Sequence, residues 1–586
     1  MGLRSLKRQK WLITILGCLV LSLVFCIPML NQTFVSGSDT SFHINRIIAL
    51  STSIKNGDLY PRIFWNQNYS FGYGSPMLYS FFFLYIPALL HLWGMAVLDA
   101  YRCLLFLIAF WSAFTMYQLA KRVTRNEPSA WISAAFYLFN PFFYSNVYKR
   151  GAVGEELAYI FVPVVLLAVY ELFYAKEKGK HWQYLIIGFG GLLLSHNITF
   201  LIMVGVFIIL ALINLKKMIR QPEILLHILL AAGITIALTA FYTFPMMEQL
   251  NSGSYWISSY FTDSAGMASS AMTFSDLFSL DVSGNTYFNA SPGIVVMILA
   301  VFTFLPHARN VSVYRKTLAA IGLVLVFMAT DLFPWSYVQV FNFMQFPTRF
   351  VNAAAACLSL AAGREAWDLR IPHLNHRQAR LILGSVMGVI LVINLTQLYQ
   401  NIGIYNNSVT DEEFHDDEKF CPDEKYWYDV MELSTPDYLP AGTDISYRDY
   451  GRLITINSSD HLIEMDETEY GVFSFSTEKT IGNGYYQVPK TYYKGYTAKA
   501  YRDGQYLDTY ETKMDPTTGL VSFDVTDAAD GPITIVVTYE PTALQTACAN
   551  ISWIAFLLYL IFNLLNLLRW AIRRQRILSK RVNVRQ

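Results

Sequence analysis

The chain has 586 residues, of which 54% are hydrophobic and 16% aromatic, only 15% are charged, and the mean hydropathy is +0.33. Soluble proteins carry about 25% charged residues, so the composition excludes a soluble enzyme and points to a polytopic membrane protein. A formal net charge of +1 gives no reason to expect nucleic acid as partner, and five of the six cysteines lie in or beside apolar stretches with only Cys421 in a polar one, which argues against a disulfide framework or zinc site.

Arg4, Lys7, Arg8 and Lys10 precede an apolar run from Trp11 to Leu30. No small-residue cleavage site follows it, which favours a retained first helix over a signal peptide. Further runs predict spans at 101–120, 130–146, 157–175, 183–196, 198–215, 223–245, 292–306, 317–333, 349–364, 379–398 and 547–568, twelve in all. The stretch from Pro76 to Leu98 is also apolar, and counting it as a span would invert everything after it. With that stretch lying on the outer surface, the segments 1–10, 121–127, 176–180, 216–220, 307–316, 364–380 and 569–585 face the cytoplasm and hold 27 of the 44 Lys and Arg.

Both termini are then cytoplasmic, and the outer side receives a first loop at 31–100, a turn at 147–156, a loop at 246–291 and a polar region at 401–545. In the last, the runs 453–456, 471–475, 521–525 and 533–537 read as strands, with turn signals at Asp503-Gly504 and Asp530-Gly531. The expected fold is therefore a polytopic α-helical membrane domain over 1–400, an extracytoplasmic β-sandwich over 401–545, and a final transmembrane helix with a basic tail over 546–586.

Chemistry can sit where polar residues interrupt the outer ends of spans. Asp39 and His43 are i and i+4 on a predicted helix running to about Lys55, so they share a face; taken alone, Asp39 reads first as an N-cap. Arg46, Arg62 and Tyr73 follow in the same loop. Lys149, Arg150, Glu155 and Glu156 break the charge pattern after the third span, where the cations also read as snorkelling residues. His196 and Asn197 occupy another outward turn, where a packing role for the histidine is the ordinary alternative, and Arg349 stands at the mouth of a later span. Acids and cations together suit one chemistry. A carboxylate accepts the proton of an acceptor hydroxyl while cations neutralise the phosphate leaving a lipid-linked sugar.

Asp39-x3-His43-x2-Arg46, Gly57-x2-Tyr60-Pro61-Arg62, Gly72-Tyr73-Gly74-x-Pro76, Arg150-Gly151-Ala152-x2-Glu155, Ser195-His196-Asn197 and Pro347-x-Arg349-Phe350 resemble bacterial 6-pyruvoyl-tetrahydropterin-synthase-related membrane proteins, a label that does not imply pterin chemistry. That family is related to the YfhO-type glycosyltransferases, and the whole pattern resembles the GT-C superfamily. The resemblance covers about residues 11–400. It implies that Asp39 is the first-loop acid, a base or metal ligand, that Glu155 or Glu156 takes the second acidic position, and that Arg349 meets the donor phosphate. The first loop has no Asp-x-Asp or adjacent acid pair, so a divalent cation (Mg or Mn) would rest on Asp39, His43 and Glu155, and the cofactor stays open.

The implied activity is transfer of a sugar from a polyprenyl-phosphate donor to a cell-envelope glycopolymer or glycolipid, such as a polysaccharide or teichoic acid, on the outer face of a bacterial cytoplasmic membrane. Membrane lipids, a donor-synthesising glycosyltransferase and a flippase are the expected partners. A flippase of lipid-linked saccharides, or a non-catalytic envelope assembly factor, is the alternative.

Overall fold

The computed structural model describes residues 2–30, 39–68, 70–175, 181–259, 264–278, 291–305, 311–371, 373–401, 436–441, 443, 453–457, 459–462, 465–477, 483–526 and 531–583; Cys421 and Asp530 lie outside them. The other five cysteines are free thiols.

Helices fill the first 401 residues: α1 (Gly2–Phe25), α2 (Thr40–Lys55), α3 (Tyr85–Leu92), α4 (Val97–Thr124), α5 (Glu127–Leu138), α6 (Val153–Phe173), α7 (Gln183–Leu193), α8 (Asn197–Ile213), α9 (Pro222–Ser252), α10 (Ile294–Val301), α11 (Val313–Met328), α12 (Phe350–Trp367) and α13 (His376–Asn401). A long helix, α14 (Ala543–Asn583), closes the chain. Five of these, α4, α6, α9, α13 and α14, are long and apolar enough to cross a membrane, and shorter apolar helices accompany them. The apolar stretch after Pro76 is divided among a helical turn at Ser75–Leu78, a 3-10 turn at Phe82–Leu84 and the eight-residue α3, with no single long helix.

Local sequence explains where helices start and stop. Asn126 caps α5 by accepting from Ser129 N, and Pro128 fits its first turn. The run expected to be one span from 130 to 146 breaks at Asn140-Pro141, because proline brings no N–H to the α5 ladder. Asn140 instead caps a short helix at Pro141–Ser145, which continues into a wide turn at Asn146–Arg150.

The layers follow from side-chain size. In the apolar window of α6, 78% of residues are buried, against 6% in α14, so α6 lies inside and α14 at the periphery. The alanine-rich α12 is buried along nearly its whole length. Its Gly363 lies against α5 so closely that a Cβ would come within 2.8 Å of Ser133 backbone N, the approach that small residues permit between apolar helices.

The C-terminal region forms two antiparallel sheets from β1 (Leu453–Ile456), β2 (Ser459–Leu462), β3 (Asp466–Glu469), β4 (Val472–Ser476), β5 (Gly484–Thr491), β6 (Tyr496–Arg502), β7 (Gln505–Tyr510), β8 (Lys513–Met514), β9 (Leu520–Val525) and β10 (Thr534–Tyr539). Their orders are β2-β1-β5-β9-β8 and β3-β4-β10-β6-β7. Ile454, Tyr486 and Phe523 of one sheet and Phe475, Ala498 and Ile535 of the other share one apolar cluster, and Ile63, Trp65, Met77 and Leu78 of the first loop enter it. Hydrogen bonds reinforce that seat. Thr491 N donates to Phe71 O at 2.8 Å, and Gln249 Nε2 on α9 donates to Lys494 O at 2.7 Å.

Candidate functional site

Two close backbone approaches build the site. Asp39 N donates to Arg150 O at 2.9 Å, joining the first loop to the turn before α6. Gly151 follows at φ +66°, where a Cβ would collide with the Thr40 side chain and reach 2.9 Å from its backbone N, so glycine is required by both conformation and space.

Asp39 occupies the N-cap position of α2, yet its side chain makes no capping hydrogen bond. His43, one turn on, is buried, and Arg46 Nη1 contacts its Nδ1 at 3.5 Å. A guanidinium only donates, so Nδ1 accepts and the neutral ring carries its hydrogen on Nε2. Burial, and secondarily the Arg46 charge, holds the imidazole well below its usual pKa, so His43 is neutral at pH 7.

Opposite them lies an ion-pair cluster. Arg150 Nη1 and Nη2 donate to the two Glu155 oxygens, each at 3.1 Å, and Arg349 Nε donates to Glu155 Oε1 at 2.9 Å. Arg349 Nη1 also donates to Met344 O at 2.8 Å and Gln345 Oε1 at 2.7 Å. Arg150 is also drawn by the nearby Asp39 carboxylate, so the cluster sets acids and guanidinium groups together beside a space that water or substrate can enter.

That space is a cavity of about 350 Å³ whose lining includes Asp39, Phe42, His43, Tyr79, His196, Asn197, Gln345, Arg349, Asp437 and Tyr438. It brings together residues more than 300 positions apart in sequence. His196 caps α8 through Nδ1, which accepts from Thr199 N, and Asn197 Nδ2 donates to Tyr242 Oη at 2.9 Å.

Other expected site residues stand behind this wall. Arg46 donates to Tyr79 O and Ser80 O at 2.7 and 2.9 Å and lies over the Tyr79 ring, tying α2 to the bend at residues 79–80. Arg62 donates to Phe241 O at 3.4 Å and stacks on Tyr60. Tyr73 packs on Tyr438, whose N donates to Tyr73 Oη at 3.4 Å. Lys149 is buried in the turn before α6. Glu156 is fully buried, and neither carboxyl oxygen has a hydrogen-bond partner among the described residues.

Asp437 and Tyr438 have no counterpart among the sequence candidates. Their short segment runs against the stretch after α9: Ile257 N donates to Asp437 O at 2.9 Å and Trp256 N to Leu439 O at 3.1 Å. Tyr438 stacks on Tyr79 with rings 6.0 Å apart and 13° from parallel. Of the residues expected to hold a divalent cation, Asp39 and His43 line the cavity and Glu155 lies in the ion-pair cluster. Glu155 is engaged by two arginines, His43 Nδ1 is taken by Arg46, and no group of three or more His, Cys, Asp or Glu among the described residues could hold a metal.

With this geometry in place, the relatives are informative. Residues 78–402 match the family described as 6-pyruvoyl-tetrahydropterin synthase related domain, membrane protein, and the chain belongs to that family. An uncharacterized protein of Lactococcus lactis subsp. cremoris (strain MG1363) is 25% identical over 350 residues, which cover 57% of this chain and 56% of that relative. This chain thus spans just over half the relative's length. The single-particle cryo-EM structure of the arabinofuranosyltransferase AftD from mycobacteria is similar at a TM-score of 0.39 with 12% identity, over 68% of this chain and 27% of that one, a likeness too slight to argue from.

Proposed function

We propose that this membrane protein is a GT-C-type glycosyltransferase, which moves a sugar from a polyprenyl-phosphate donor to an envelope glycopolymer or glycolipid on the outer face of a bacterial cytoplasmic membrane. The observation that carries this reading is one cavity lined by a carboxylate, Asp39, and a guanidinium, Arg349, with Arg150 paired to the same Glu155 as Arg349. In this reading twelve helices span the bilayer, both termini are cytoplasmic, and the two sheets form a sandwich above the cavity.

Asp39 takes the proton of the acceptor hydroxyl as the acceptor oxygen bonds to the anomeric carbon. The bond from that carbon to the phosphate oxygen breaks, and its electron pair leaves with the polyprenyl phosphate, whose charge faces Arg349, backed by Arg150. His43, neutral with its hydrogen on Nε2, supplies a donor for a substrate oxygen. No metal step is needed in this scheme.

The test is chemical analysis of envelope glycans from cells lacking the protein and rescued by wild type, Asp39→Asn or Arg349→Ala. Loss of a sugar substituent that only wild type restores supports the assignment. Full transfer by both variants overturns it.

A further inference from the structure

A larger cavity, about 780 Å³, lies away from the candidate active site between α1, α4, α6 and α7. Its lining changes character along α4. Trp111, Phe114 and Thr115 make an apolar aromatic stretch, followed by Gln118, Arg122 and Arg125, and Val164 and Leu167 of α6 and Ile187 of α7 extend the apolar side. Trp11 of α1 stacks on Phe114 with ring centroids 6.2 Å apart.

The polar end has donors to spare. Arg122 donates through Nε and Nη2 to Glu171 of α6, and its Nη1 has no partner among the described residues. Arg125, at the left-handed C-cap of α4, makes no side-chain hydrogen bond or ion pair among them, and neither does Gln118. Two guanidinium groups against one carboxylate leave one unit of positive charge. The polar end lies on the side of the basic segment 121–127.

The dimensions fit one leaflet. From Arg122 to Trp111 the helix rises about 16 Å, close to half of a ~30 Å hydrocarbon core. A ligand that fills this cavity therefore carries a single negative charge at one end and an apolar chain for about the depth of a monolayer. We infer that the cavity is a binding site for an anionic glycerophospholipid, its phosphodiester between Arg122 and Arg125 and an acyl chain along Trp111, Phe114 and Leu167. Free phosphate shares the headgroup chemistry but leaves the apolar half of the cavity unfilled.

The test is native mass spectrometry of the full-length protein in detergent with phosphatidylglycerol or phosphatidylcholine added, with and without millimolar inorganic phosphate. Wild type is expected to retain phosphatidylglycerol at least fivefold over phosphatidylcholine, and phosphate does not displace it. Arg125→Gln, an exposed position whose loss strands no buried partner, lowers that retention at least fivefold. Trp111→Ala lowers it severalfold with the headgroup contacts intact. Equal retention of the two lipids, equal retention by wild type and Arg125→Gln, or indifference to Trp111→Ala overturns the inference. Displacement by inorganic phosphate also overturns it, in favour of a free-anion site.

Discussion

Helix α6 carries a glutamate near each end, Glu155 and Glu171, about 24 Å apart along its axis, and each is held by arginine beside a cavity. The two ends differ in how the charges meet water. At Glu155 the side chains of both arginines are under 10% exposed, whereas Arg122 at Glu171 is 46% exposed. The first arrangement holds buried charges in a low-dielectric wall, where they can act on a substrate. The second is solvated, so it contributes recognition more than rigidity.

The comparison can be broken by substitutions of graded effect. The largest falls on Asp39. Asp39→Asn is expected to lower transfer about 10²–10⁴-fold, the range for loss of a general base, in a glycan-transfer assay with membranes. Stability should change by about 1 kcal/mol or less, because asparagine keeps the shape of aspartate and serves equally well at the N-cap position. A large drop in thermal stability would instead make Asp39 structural.

Next are the two glutamates themselves. Glu155→Gln leaves two buried guanidinium groups without their counterion and is expected to destabilise by about 3–5 kcal/mol, whereas Glu171→Gln leaves a half-exposed arginine and costs about 1 kcal/mol or less. Thermal unfolding of the two variants in the same detergent measures the difference. Equal losses would remove the distinction between the ends.

Gly151→Ala should cost more than about 1 kcal/mol, since it combines a left-handed φ with a collision against Thr40. It would also lower transfer by pushing the Arg150 turn away from Asp39. Unchanged activity and melting temperature would show that this approach does not set the site.

The smallest effect sharpens the contrast outside the membrane helices. Lys490 of β5 is buried, donating Nζ to Ser70 O at 2.6 Å and lying 3.7 Å from the Phe473 ring centre. Burial brings its pKa down to about 8. Between that pH and the ordinary lysine value near 10.4, the unfolded chain binds the proton and the folded one does not, so stability rises with pH across that window. Thermal melts from pH 7 to 10.5 should show the rise in wild type and its loss in Lys490→Met.

Much of this organisation is legible in the sequence. Apolar runs lead to a helix at each expected position, and the strands at 453–456 and 520–525 follow from β-branched and aromatic clustering. Asp39, His43, His196, Asn197 and Arg349 stand out as polar breaks at the ends of apolar runs, and all of them line one cavity. The direction of a guanidinium is not legible. Arg46 and Arg62 share the composition of the site but spend their donors on backbone carbonyls, a choice fixed by tertiary packing. Nor is the contribution of Asp437 and Tyr438, because nothing local marks a segment that pairs with residues 254–257 from some 180 positions away.

Asp437 and Tyr438 of the short run 436–441 give the cavity part of its wall. In the proposed reaction, that wall decides which nucleophile meets the sugar. A chain cut after α13 would keep Asp39 and Arg349 but leave the chamber open to bulk solvent. Water would then compete for the activated anomeric carbon, turning a transferase into a wasteful hydrolase that consumes its lipid-linked donor. The C-terminal region would thus act as the guard against that futile loss.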